Sequence, residues 1–348
     1  MQPAGLYIHV PFCKRKCLYC DFYSAPDMFR ADDYVRAVIL NIRAAGLTYD
    51  TVYLGGGTPS LLTAKQISDI LSAADISDGA EISMECNPES ADFAYLCGLR
   101  SAGVNRVSFG IQSLEDCELA VLGRLHNADK ACEAVLSAHR AGFENISADL
   151  MLAIPMQTSE SLNSTLDRLM KLPLTHVSAY LLKVEKGTPL SFDSLLLEKV
   201  PDEDETADMY LAAAKKLSAA GFEQYEISNF ARNGFECRHN LKYWRCGEYF
   251  GIGPSAHSFL NGERFYCPPD TEKFISASLQ EKVSLGTGGE PEEKAMLALR
   301  LTKEGLRLAD FPEAESRAEP LLKKEQGALM LTAEGCLVSN EIICRLIG

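Results

Sequence analysis

Three cysteines, Cys13, Cys17 and Cys20, lie within eight residues near the amino terminus. Structural zinc sites usually have four ligands, and an iron–sulfur cluster held wholly by protein needs four thiolates. Because no fourth cysteine follows closely, the spacing favours three thiolates that hold three irons of a [4Fe–4S] cube and leave the fourth iron open. An open iron can bind a small molecule and deliver an electron into it. Surface thiols, or part of a zinc site, are the alternatives.

The overall composition argues against several classes of function. The chain has 348 residues, of which 47% are hydrophobic, and a formal net charge of −14. Such an acidic chain does not favour a nucleic-acid-binding surface, and no apolar run approaches the ~20 residues of a membrane span. An apolar stretch begins at Gly5, which leaves no room for a signal peptide. We therefore expect a cytoplasmic protein whose twelve cysteines are mostly free thiols.

From residue 5 to about residue 181 the sequence alternates between short apolar runs and helical stretches. Alternating strands and helices predict an α/β fold with a parallel sheet and right-handed crossovers. Six repeats fit a partial (β/α)6 barrel of the TIM type better than a closed eight-fold barrel, although periodicity alone does not exclude an open sheet. The predicted strands cover Gly5–Val10, Thr51–Leu54, Ala80–Cys86, Arg106–Ile111, Asn145–Leu150 and His176–Leu181. The predicted helices cover Ala31–Ala45, Thr63–Ala74, Ser90–Ala102, Asp129–Ala141 and Thr158–Lys171.

Polar residues and glycines lie where the predicted strands end. The first strand leads into the cysteine loop, and the second leads into the glycine turn, Gly55–Thr58. The next three strands end at or beside Glu85, Gln112 and Asp149. The carboxyl ends of parallel strands line the active-site face of an α/β barrel, so we expect one rim to carry these groups together. A chance scatter of polar residues is the alternative.

Each of these residues also has a plainer structural explanation. The glycine turn could be a tight connection between a strand and a helix, although such turns also let backbone amides approach a charged ligand. Glu85 could form a salt bridge, and Gln112 could be a hydrogen-bonding residue of the barrel rim. Asp149 could cap a helix, and Arg124 could be a solvated charge.

The pattern changes after residue 181, and we predict three regions. They are a barrel over residues 1–227, a loop-rich connecting segment over 228–285 and a carboxyl-terminal module over 286–348. The connecting segment has little periodicity, and loops of such length are usually functional or disordered, but its aromatic content argues against disorder. In the last region we predict helices and a hairpin of Ala328–Thr332 with Cys336–Val338, like a winged helix. This module is not basic enough to suggest nucleic acid.

Taken together, these residues resemble a known family. The cysteine spacing, with an aromatic residue before the last cysteine, is similar to the signature of radical S-adenosylmethionine (SAM) proteins. The order of motifs over nearly the whole chain resembles the oxygen-independent coproporphyrinogen III oxidase family. This resemblance implies a barrel of the radical SAM type, a [4Fe–4S] cluster on the three cysteines, SAM at the open iron and an external electron donor. It also implies that SAM is bound by Tyr7, Tyr19, Gly56, Gly57, Thr58, Glu85, Gln112, Arg124 and Asp149, of which the two tyrosines border the cluster.

The chemistry of SAM gives these residue types a purpose. Its ammonium needs carbonyl or carboxylate acceptors, its carboxylate needs an arginine, and its ribose diol needs Asp, Glu or Gln. Two positions depart from the usual family pattern: Ala153 stands where relatives generally have glycine, and Leu18 replaces a frequent proline. Both changes conserve volume, and we expect them to alter only the SAM-facing backbone.

Two features distinguish the branches of this family. The oxidase branch has a fourth cysteine two residues beyond the third and an amino-terminal extension, whereas here Cys20 is followed by Asp21 and Phe22. The heme chaperone branch, the HemW-like proteins, carries an H-N-x-x-Y-W box, which is intact here. The resemblance therefore implies that heme is bound by the box residues His239, Asn240, Tyr243 and Trp244.

The residues of the box allow two interpretations. An exposed histidine beside aromatic rings on a long loop can ligate heme iron while the rings cover the porphyrin. Alternatively, His239 hydrogen-bonds to the backbone of an ordered loop in which Trp244 packs. Other candidate ligands of heme or of a metal lie nearby, and they are Cys237, Cys246, His257 and Cys267.

We therefore expect a heme chaperone that delivers heme to respiratory acceptor proteins, with a transient partner at the membrane. Reduction of the cluster would let an electron enter the SAM sulfonium and release methionine and a 5′-deoxyadenosyl radical. The alternative is the oxidase that converts coproporphyrinogen III to protoporphyrinogen IX, but that substrate carries four carboxylates and the sequence shows no strong arginine cluster to receive them. A radical enzyme acting on nucleic acid is disfavoured by the acidity of the chain.

Overall fold

The computed structural model describes residues 3–25, 28–317 and 319–347. Residues 1, 2, 26, 27, 318 and 348 of the predicted regions lie outside this part. Within it, six parallel strands pair with one another in chain order. All six correspond to strands predicted from the sequence. The strands are β1 (Ala4–Val10), β2 (Thr48–Gly56), β3 (Asp75–Cys86), β4 (Arg106–Gln112), β5 (Asn145–Leu152) and β6 (His176–Leu181).

Helices connect these strands, and their ends follow local sequence signals. Thr63 and Thr158 each begin a helix through a capping box, which satisfies backbone amides at the helix start. Gly46 and Gly103 end two helices in the left-handed conformation that glycine adopts readily. The helices are α1 (Ala31–Ala45), α2 (Ala64–Leu71), α3 (Phe93–Ala102), α4 (Asp116–Val121), α5 (Ala128–Arg140) and α6 (Ser159–Leu169).

The strands place apolar residues against the helices and polar residues on the other face of the sheet. In β1, Leu6, Ile8 and Val10 are fully buried in the core that they share with α1. Tyr7 and His9 alternate with them, and the Tyr7 hydroxyl lies 3.1 Å from His9 Nδ1. This inner face is polar in the other strands too. The six parallel strands, paired in chain order and joined by helices, form the predicted partial (β/α)6 barrel.

The segment over 228–285, which we predicted to be rich in loops, contains short strands and helices between its loops. Its strands and helices are only three to seven residues long, too short for periodicity to reveal. β9 pairs parallel with β1 and β8 pairs antiparallel with β6, so the segment extends both edges of the sheet. The elements from residue 194 onward are α7 (Ser194–Leu197), α8 (Glu203–Ala219), β7 (Glu223–Gln224), β8 (Asn229–Ala231), α9 (Arg238–Trp244), β9 (Tyr249–Ile252), β10 (His257–Leu260), β11 (Glu263–Tyr266), α10 (Thr271–Ser276) and β12 (Val283–Thr287).

Helix α9 lies against the inner face of β1, β2 and β3. Gly5 makes room for it, because a Cβ at that position would lie 3.1 Å from His239 Cε1. The buried carboxylate of Glu81 accepts hydrogen bonds from the backbone amides of Arg238 and His239, both at 3.1 Å. Thr51 Oγ1 lies 2.9 Å from His239 Nδ1. The helix therefore fills the barrel interior beside the first halves of these strands.

The carboxyl-terminal residues form a small sheet with helices, as predicted, but the hairpin differs. β15 is where we expected it, yet its partner is the preceding strand, because Gln326 and Gly327 adopt positive φ angles of 49° and 78° and form the turn. Thr332 then caps a helix by accepting from the amide of Gly335 at 3.0 Å. None of the helices in the described residues is long and apolar enough to cross a membrane. The elements are α11 (Pro291–Ala298), β13 (Leu306–Arg307), β14 (Leu322–Glu325), β15 (Ala328–Leu331), α12 (Ala333–Leu337) and α13 (Ser339–Ile347).

Replacing Glu81 by alanine should destabilise the fold without touching the cysteine loop. The change leaves two backbone amides at the start of α9 without an acceptor, and a hydrogen bond to a charged group contributes about 1.5–3 kcal/mol. We expect the free energy of unfolding to fall by about 3 kcal/mol, measured by urea denaturation followed by circular dichroism. Glu160→Ala is the control, because Glu160 is exposed on α6 and its loss should cost less than about 1 kcal/mol. Equal losses in the two variants would contradict this role of Glu81.

Candidate functional site

The cysteine loop between β1 and α1 is fixed by backbone hydrogen bonds at its start and in its middle. The Cys13 amide donates to Ala25 O at 3.2 Å, and the Ala25 amide donates to Pro11 O at 2.6 Å. The Leu18 amide donates to Leu122 O at 3.3 Å. The path of the loop is therefore set by its backbone, which leaves the cysteine side chains free to act as ligands.

The glycine turn after β2 packs against the start of the cysteine loop. The Thr58 amide donates to Phe12 O at 2.7 Å. A Cβ at Gly57 would lie only 2.6 Å from that oxygen, so no larger residue fits there. Gly56 has a φ of +103°, a conformation that favours glycine. The turn brings Thr58 Oγ1 within 3.4 Å of Cys13 Sγ.

All three cysteines of the loop line one cavity of about 480 Å³. They are free thiols of intermediate exposure. Burial, and to a smaller extent the neighbouring Cys17 and Cys13, raises the pKa of the Cys20 thiol. No group of three or more His, Cys, Asp or Glu side chains in the described residues surrounds a single metal-ion position. Free thiols that share a cavity are the donor set needed by a cluster that takes one thiolate per iron.

Two carboxylates face the same cavity from neighbouring parts of the barrel. Glu85 of β3 accepts hydrogen bonds from the Tyr53 hydroxyl at 2.8 Å and the Gly56 amide at 3.3 Å. Asp149 of β5 accepts from the Ser108 hydroxyl at 3.0 Å. Burial, and then repulsion by Asp149, raises the pKa of Glu85 to about 7; burial also raises the pKa of Asp149. Glu85 can therefore gain or lose a proton near neutral pH.

Arg124 supplies a buried positive charge beside the cysteine loop. Its guanidinium donates to Asn87 Oδ1 at 2.8 Å and to Gly110 O at 2.7 Å, and it also contacts Cys17 Sγ at 3.4 Å. Burial alone would lower the pKa of Arg124, but Tyr19 and Cys17 raise it above its ordinary value. Its Nε is buried and has no hydrogen-bond partner among the described residues. This guanidinium can therefore accept one more anionic partner.

Gln112 reaches the cavity because β4 is irregular at its end. The pairing of β4 with β5 shifts between Phe109 and Gln112, and Gln112 has a φ of +69°, which is uncommon for a residue other than glycine. Irregularities of this kind redirect side chains next to functional sites. The Tyr180 hydroxyl donates to Gln112 Oε1 at 2.8 Å, so the side chain is fixed in place.

The structure brings together nearly all the residues for which SAM binding was predicted. Tyr7 is the exception, because it lies outside the described wall of the cavity and its ring is 6.5 Å from that of His239. Those that line the cavity are Tyr19, Gly56, Gly57, Thr58, Glu85, Gln112, Arg124 and Asp149.

Several other polar residues of the cavity wall were missed by sequence reasoning. Tyr53 lies two residues before the glycine turn, and Tyr180 occupies an inward position near the end of β6. Strand alternation, counted back from the predicted strand ends, could have identified both. The missed uncharged polar residues are Tyr53, Asn87, Ser178, Tyr180, Ser228 and Asn229, and the missed charged residues are Arg15, Lys16, Asp21, Lys183 and Glu185.

The H-N-x-x-Y-W box is not on an exposed loop, contrary to the prediction. It forms α9, and His239 is fully buried. Its Nε2 lies 2.7 Å from the Tyr243 hydroxyl, and its Nδ1 contacts Thr51. Burial, with smaller effects of Lys242 and Arg106, lowers the pKa of His239 to about 3. Because both ring nitrogens are engaged inside the barrel, the imidazole is not presented to a ligand here.

The other two residues of the box border different cavities. Asn240 lines the cavity that contains the three cysteines of the loop, which we call the cluster cavity. Trp244 and Cys246 line a second cavity, of about 950 Å³, between α9 and the carboxyl-terminal module. The Arg300 guanidinium lies 4.6 Å over the Trp244 ring, and Trp244 Nε1 is buried without a partner among the described residues. Helix α9 therefore contributes to both cavities.

The remaining candidate ligands are scattered. Cys237 and Cys267 are buried, and burial raises the pKa of each thiol to about 12. His257 is exposed and stacks on Tyr266 with ring centroids 5.4 Å apart. No metal site is formed by Cys237, Cys246 and His239 within the described part of the chain.

Comparisons with known proteins identify the family of this chain. The family model described as the radical SAM superfamily matches residues 7–169. A heme chaperone HemW of Mycobacterium tuberculosis (strain ATCC 25618 / H37Rv) is 36% identical over 373 residues, which covers 100% of this chain and 95% of that protein. A heme chaperone HemW of Bacillus subtilis (strain 168) is 33% identical over 380 residues and covers 98% of each chain.

A solved structure supports the fold. Coproporphyrinogen III oxidase (HemN) from Escherichia coli, described as a radical SAM enzyme, superposes with a TM-score of 0.82 at 20% identity, over 99% of this chain and 90% of that one. This likeness confirms the radical SAM type of barrel and extends through the carboxyl-terminal module. Membership of the superfamily implies a [4Fe–4S] cluster and SAM. The identities over full length show that this chain belongs to the HemW heme chaperone family within the radical SAM superfamily.

Proposed function

We propose that this chain holds a [4Fe–4S] cluster on Cys13, Cys17 and Cys20, binds SAM beside it and carries heme to acceptor proteins. The observation that carries the first two parts is the shared cavity, in which three free thiols face the polar ends of the strands. The name of the relatives, heme chaperone HemW, supports the third. On this proposal the protein acts in the cytoplasm, and its acceptors are respiratory proteins met at the membrane surface.

SAM would find a partner for each of its polar groups in this cavity. The unused N–H of Arg124 suits the carboxylate. The glycine turn and the Glu85 carboxylate suit the ammonium, while Gln112 and Asp149 suit the ribose diol. Tyr19, next to the last cysteine, adds an aromatic wall. The donor set thus fits the zwitterionic methionine end and the sugar of SAM.

Cys13, Cys17 and Cys20 would hold the cluster, which would supply one-electron reducing chemistry to SAM bound beside it. The protein itself would hold SAM beside the cluster and shield it from water. Arg124 keeps a positive charge beside Cys17, and apolar residues such as Met151 and Leu181 complete the wall and limit the entry of water. The proton on Glu85 decides whether an ammonium in this cavity meets a charged or a neutral acceptor.

The second cavity supports heme carriage. Its volume of about 950 Å³ is within the range of ~300–1,000 Å³ of small-molecule sites. Its wall combines the Trp244 ring with the cations Lys294 and Arg307, a combination that suits a flat porphyrin with two propionates. Cys246 and Met330 supply sulfur, which can ligate heme iron. His239 is not proposed as the ligand, because it is buried and hydrogen-bonded.

The oxidase alternative is less supported. The relatives that match over full length are named heme chaperones, and the likeness to the oxidase structure, at 20% identity, concerns the fold alone. The described wall of the cluster cavity contains two arginines, Arg15 and Arg124, and Arg124 is already assigned to SAM. Arg15 and the two lysines of the wall, Lys16 and Lys183, are exposed at its mouth, so the described wall offers no arginine cluster for four substrate carboxylates.

Replacing Cys17 by alanine should abolish the cluster. The loss of one of three thiolates leaves an iron without a protein ligand, so the brown absorbance and the bound iron of the anaerobically reconstituted protein should fall to background. Cys117→Ala is the control, because Cys117 is an exposed free thiol on α4 and its loss should leave both unchanged. A Cys17→Ala protein that keeps the full brown absorbance would contradict the assignment of Cys17 as a cluster ligand.

SAM affinity should rise as the pH passes about 7, because burial raises the pKa of Glu85 to about 7 and only the charged form pairs with an ammonium. Between pH 6 and pH 8 the Kd of the cluster-loaded protein should fall by about tenfold, measured by equilibrium dialysis. Glu85→Gln should bind more weakly and lose this pH dependence. A wild-type Kd that does not vary with pH would contradict the role of Glu85.

The same shift affects stability with a definite sign. The pKa of Glu85 is raised in the folded state from 4.5 to about 7, so the folded chain binds its proton more tightly than the unfolded chain does. Its favourable contribution to stability is complete below pH 4.5 and is lost as the pH rises through about 7.

Trp244→Ala should weaken heme binding by up to about tenfold, because an aromatic stacking contact contributes about 0.5–1.5 kcal/mol and 1.4 kcal/mol is a factor of ten. Heme titrations that follow the Soret band measure this change. His239→Gln, in the same helix, is the matched control and should leave the band position unchanged, with circular dichroism used to verify folding. Wild-type affinity in Trp244→Ala, or a shifted Soret band in His239→Gln, would argue against the second cavity as the heme site.

A further inference from the structure

The mouth of the cluster cavity is basic, although the chain as a whole has 48 acidic and 34 basic residues. Three consecutive cations lie between the first two cysteines of the loop, and two more follow β6. The acidic residues described in the cavity mouth are Asp21 and Glu185. We name these cations the basic collar, and they are Lys14, Arg15, Lys16, Lys183 and Lys186, all of them exposed.

The two parts of the basic collar lie on adjoining lips of the same opening. Lys16 and Lys183 both line the cavity. The Leu190 amide donates to Leu18 O at 2.9 Å, which joins the segment after β6 to the cysteine loop. Glu185, and to a smaller extent the nearby Asp21 of the cysteine loop, raises the pKa of Lys183. Arg15, Lys16 and Lys183 therefore act at one opening, and Lys14 and Lys186 are their exposed neighbours in the chain.

Most of the basic collar has no structural task. Arg15 donates to two backbone carbonyls of the neighbouring loop, and Lys183 forms an ion pair at 2.6 Å. Lys14, Lys16 and Lys186 form no hydrogen bond or ion pair with the described residues. Cations that are not neutralised locally project a positive field from an acidic surface. That field is directed outward from the cysteine loop.

Large apolar side chains are exposed beside the basic collar. Phe22 is 63% exposed and lines the cavity mouth. Phe192 and Leu195 are 80% and 70% exposed, and they follow Leu190, which is bonded to the cysteine loop. Exposed apolar residues with a charged rim are typical of a protein interaction surface rather than of a small-molecule subsite.

We propose that the basic collar, with Phe22, Phe192 and Leu195, is the docking surface of an acidic protein that carries a one-electron carrier. The proposal rests on the cluster of the proposed function, which needs one electron from outside for each reductive opening of SAM. In that step the partner's carrier is oxidised by one electron and the cluster is reduced by one, and no bond of the chain forms or breaks. Opposite charge steers the partner to the opening nearest the cysteines.

The test uses the cluster-loaded protein and, as probe, a flavodoxin of net negative charge. Lys14→Glu/Lys186→Glu changes one cation on each lip, and neither residue lines the cavity. We expect the Kd for flavodoxin, measured by anaerobic titration calorimetry at low salt, to rise at least about tenfold, with a weaker dependence on salt. Cluster reduction by the reduced flavodoxin should slow in parallel. Reduction by photoreduced deazaflavin, a small neutral donor, should not change.

The control is Lys171→Glu/Lys215→Glu, which makes the same change of charge at exposed positions remote from the cysteine loop. Equal effects in the two double variants, or none in Lys14→Glu/Lys186→Glu, would overturn the proposal. It would also be overturned if Lys14→Glu/Lys186→Glu lost only co-sedimentation with anionic phosphatidylglycerol vesicles, because the collar would then be a membrane contact. A wild-type protein that assembles no cluster refutes the proposed function instead, and the Kd comparison on that protein still decides the docking surface.

Discussion

The rest of the site depends on how α9 is held against the inner face of the barrel. Its first turn is fixed by Glu81, a buried carboxylate that accepts two backbone amides; without such partners a buried charge would cost several kcal/mol, about 3–5 by analogy with broken ion pairs. With α9 beside the first halves of β1 to β3, the cluster cavity is confined to the carboxyl ends of the strands. Asn240 then lines that cavity and Trp244 lines the second one.

Burial inside the barrel also sets the protonation states of the ionisable residues in and below the cluster cavity. Arg124 stays charged because Tyr19 and Cys17 offset the effect of burial, while burial moves the pKa of Glu85 to about 7. His239, beneath them, is kept neutral by a pKa of about 3. Inside the barrel the cavity therefore presents the Arg124 cation together with two carboxylates, Glu85 and Asp149, of which Glu85 titrates near neutral pH. This arrangement matches a zwitterionic amino-acid group better than a purely anionic ligand.

Much of the cluster cavity could be predicted because its signals are local. Cysteine spacing, glycines and strand ends each extend over a few residues, and the parallel topology then brings them to one rim. Contacts of long sequence separation could not be predicted. Thr51 and His239, which bond at 2.9 Å, are 188 residues apart, and this bond is one of those that hold the box inside the barrel. Ala153 is a different case, because its φ of +60° explains the usual glycine there, while a bond from its amide to Gln157 at 2.8 Å holds the turn.

Two separate cavities would allow SAM and heme to be bound at the same time, whereas a single cavity would not have room for both. On the proposed function, a volume of about 480 Å³ would have to contain the cluster and SAM, so a porphyrin in the same cavity would displace SAM. The second cavity is about twice as large and opens on the other side of α9, away from the basic collar. Heme in the second cavity, as proposed, would leave the mouth above the cysteines open for an electron donor. Because α9 forms part of both walls, a shift of this helix would change the shape of both cavities. Binding in one cavity could then affect binding in the other.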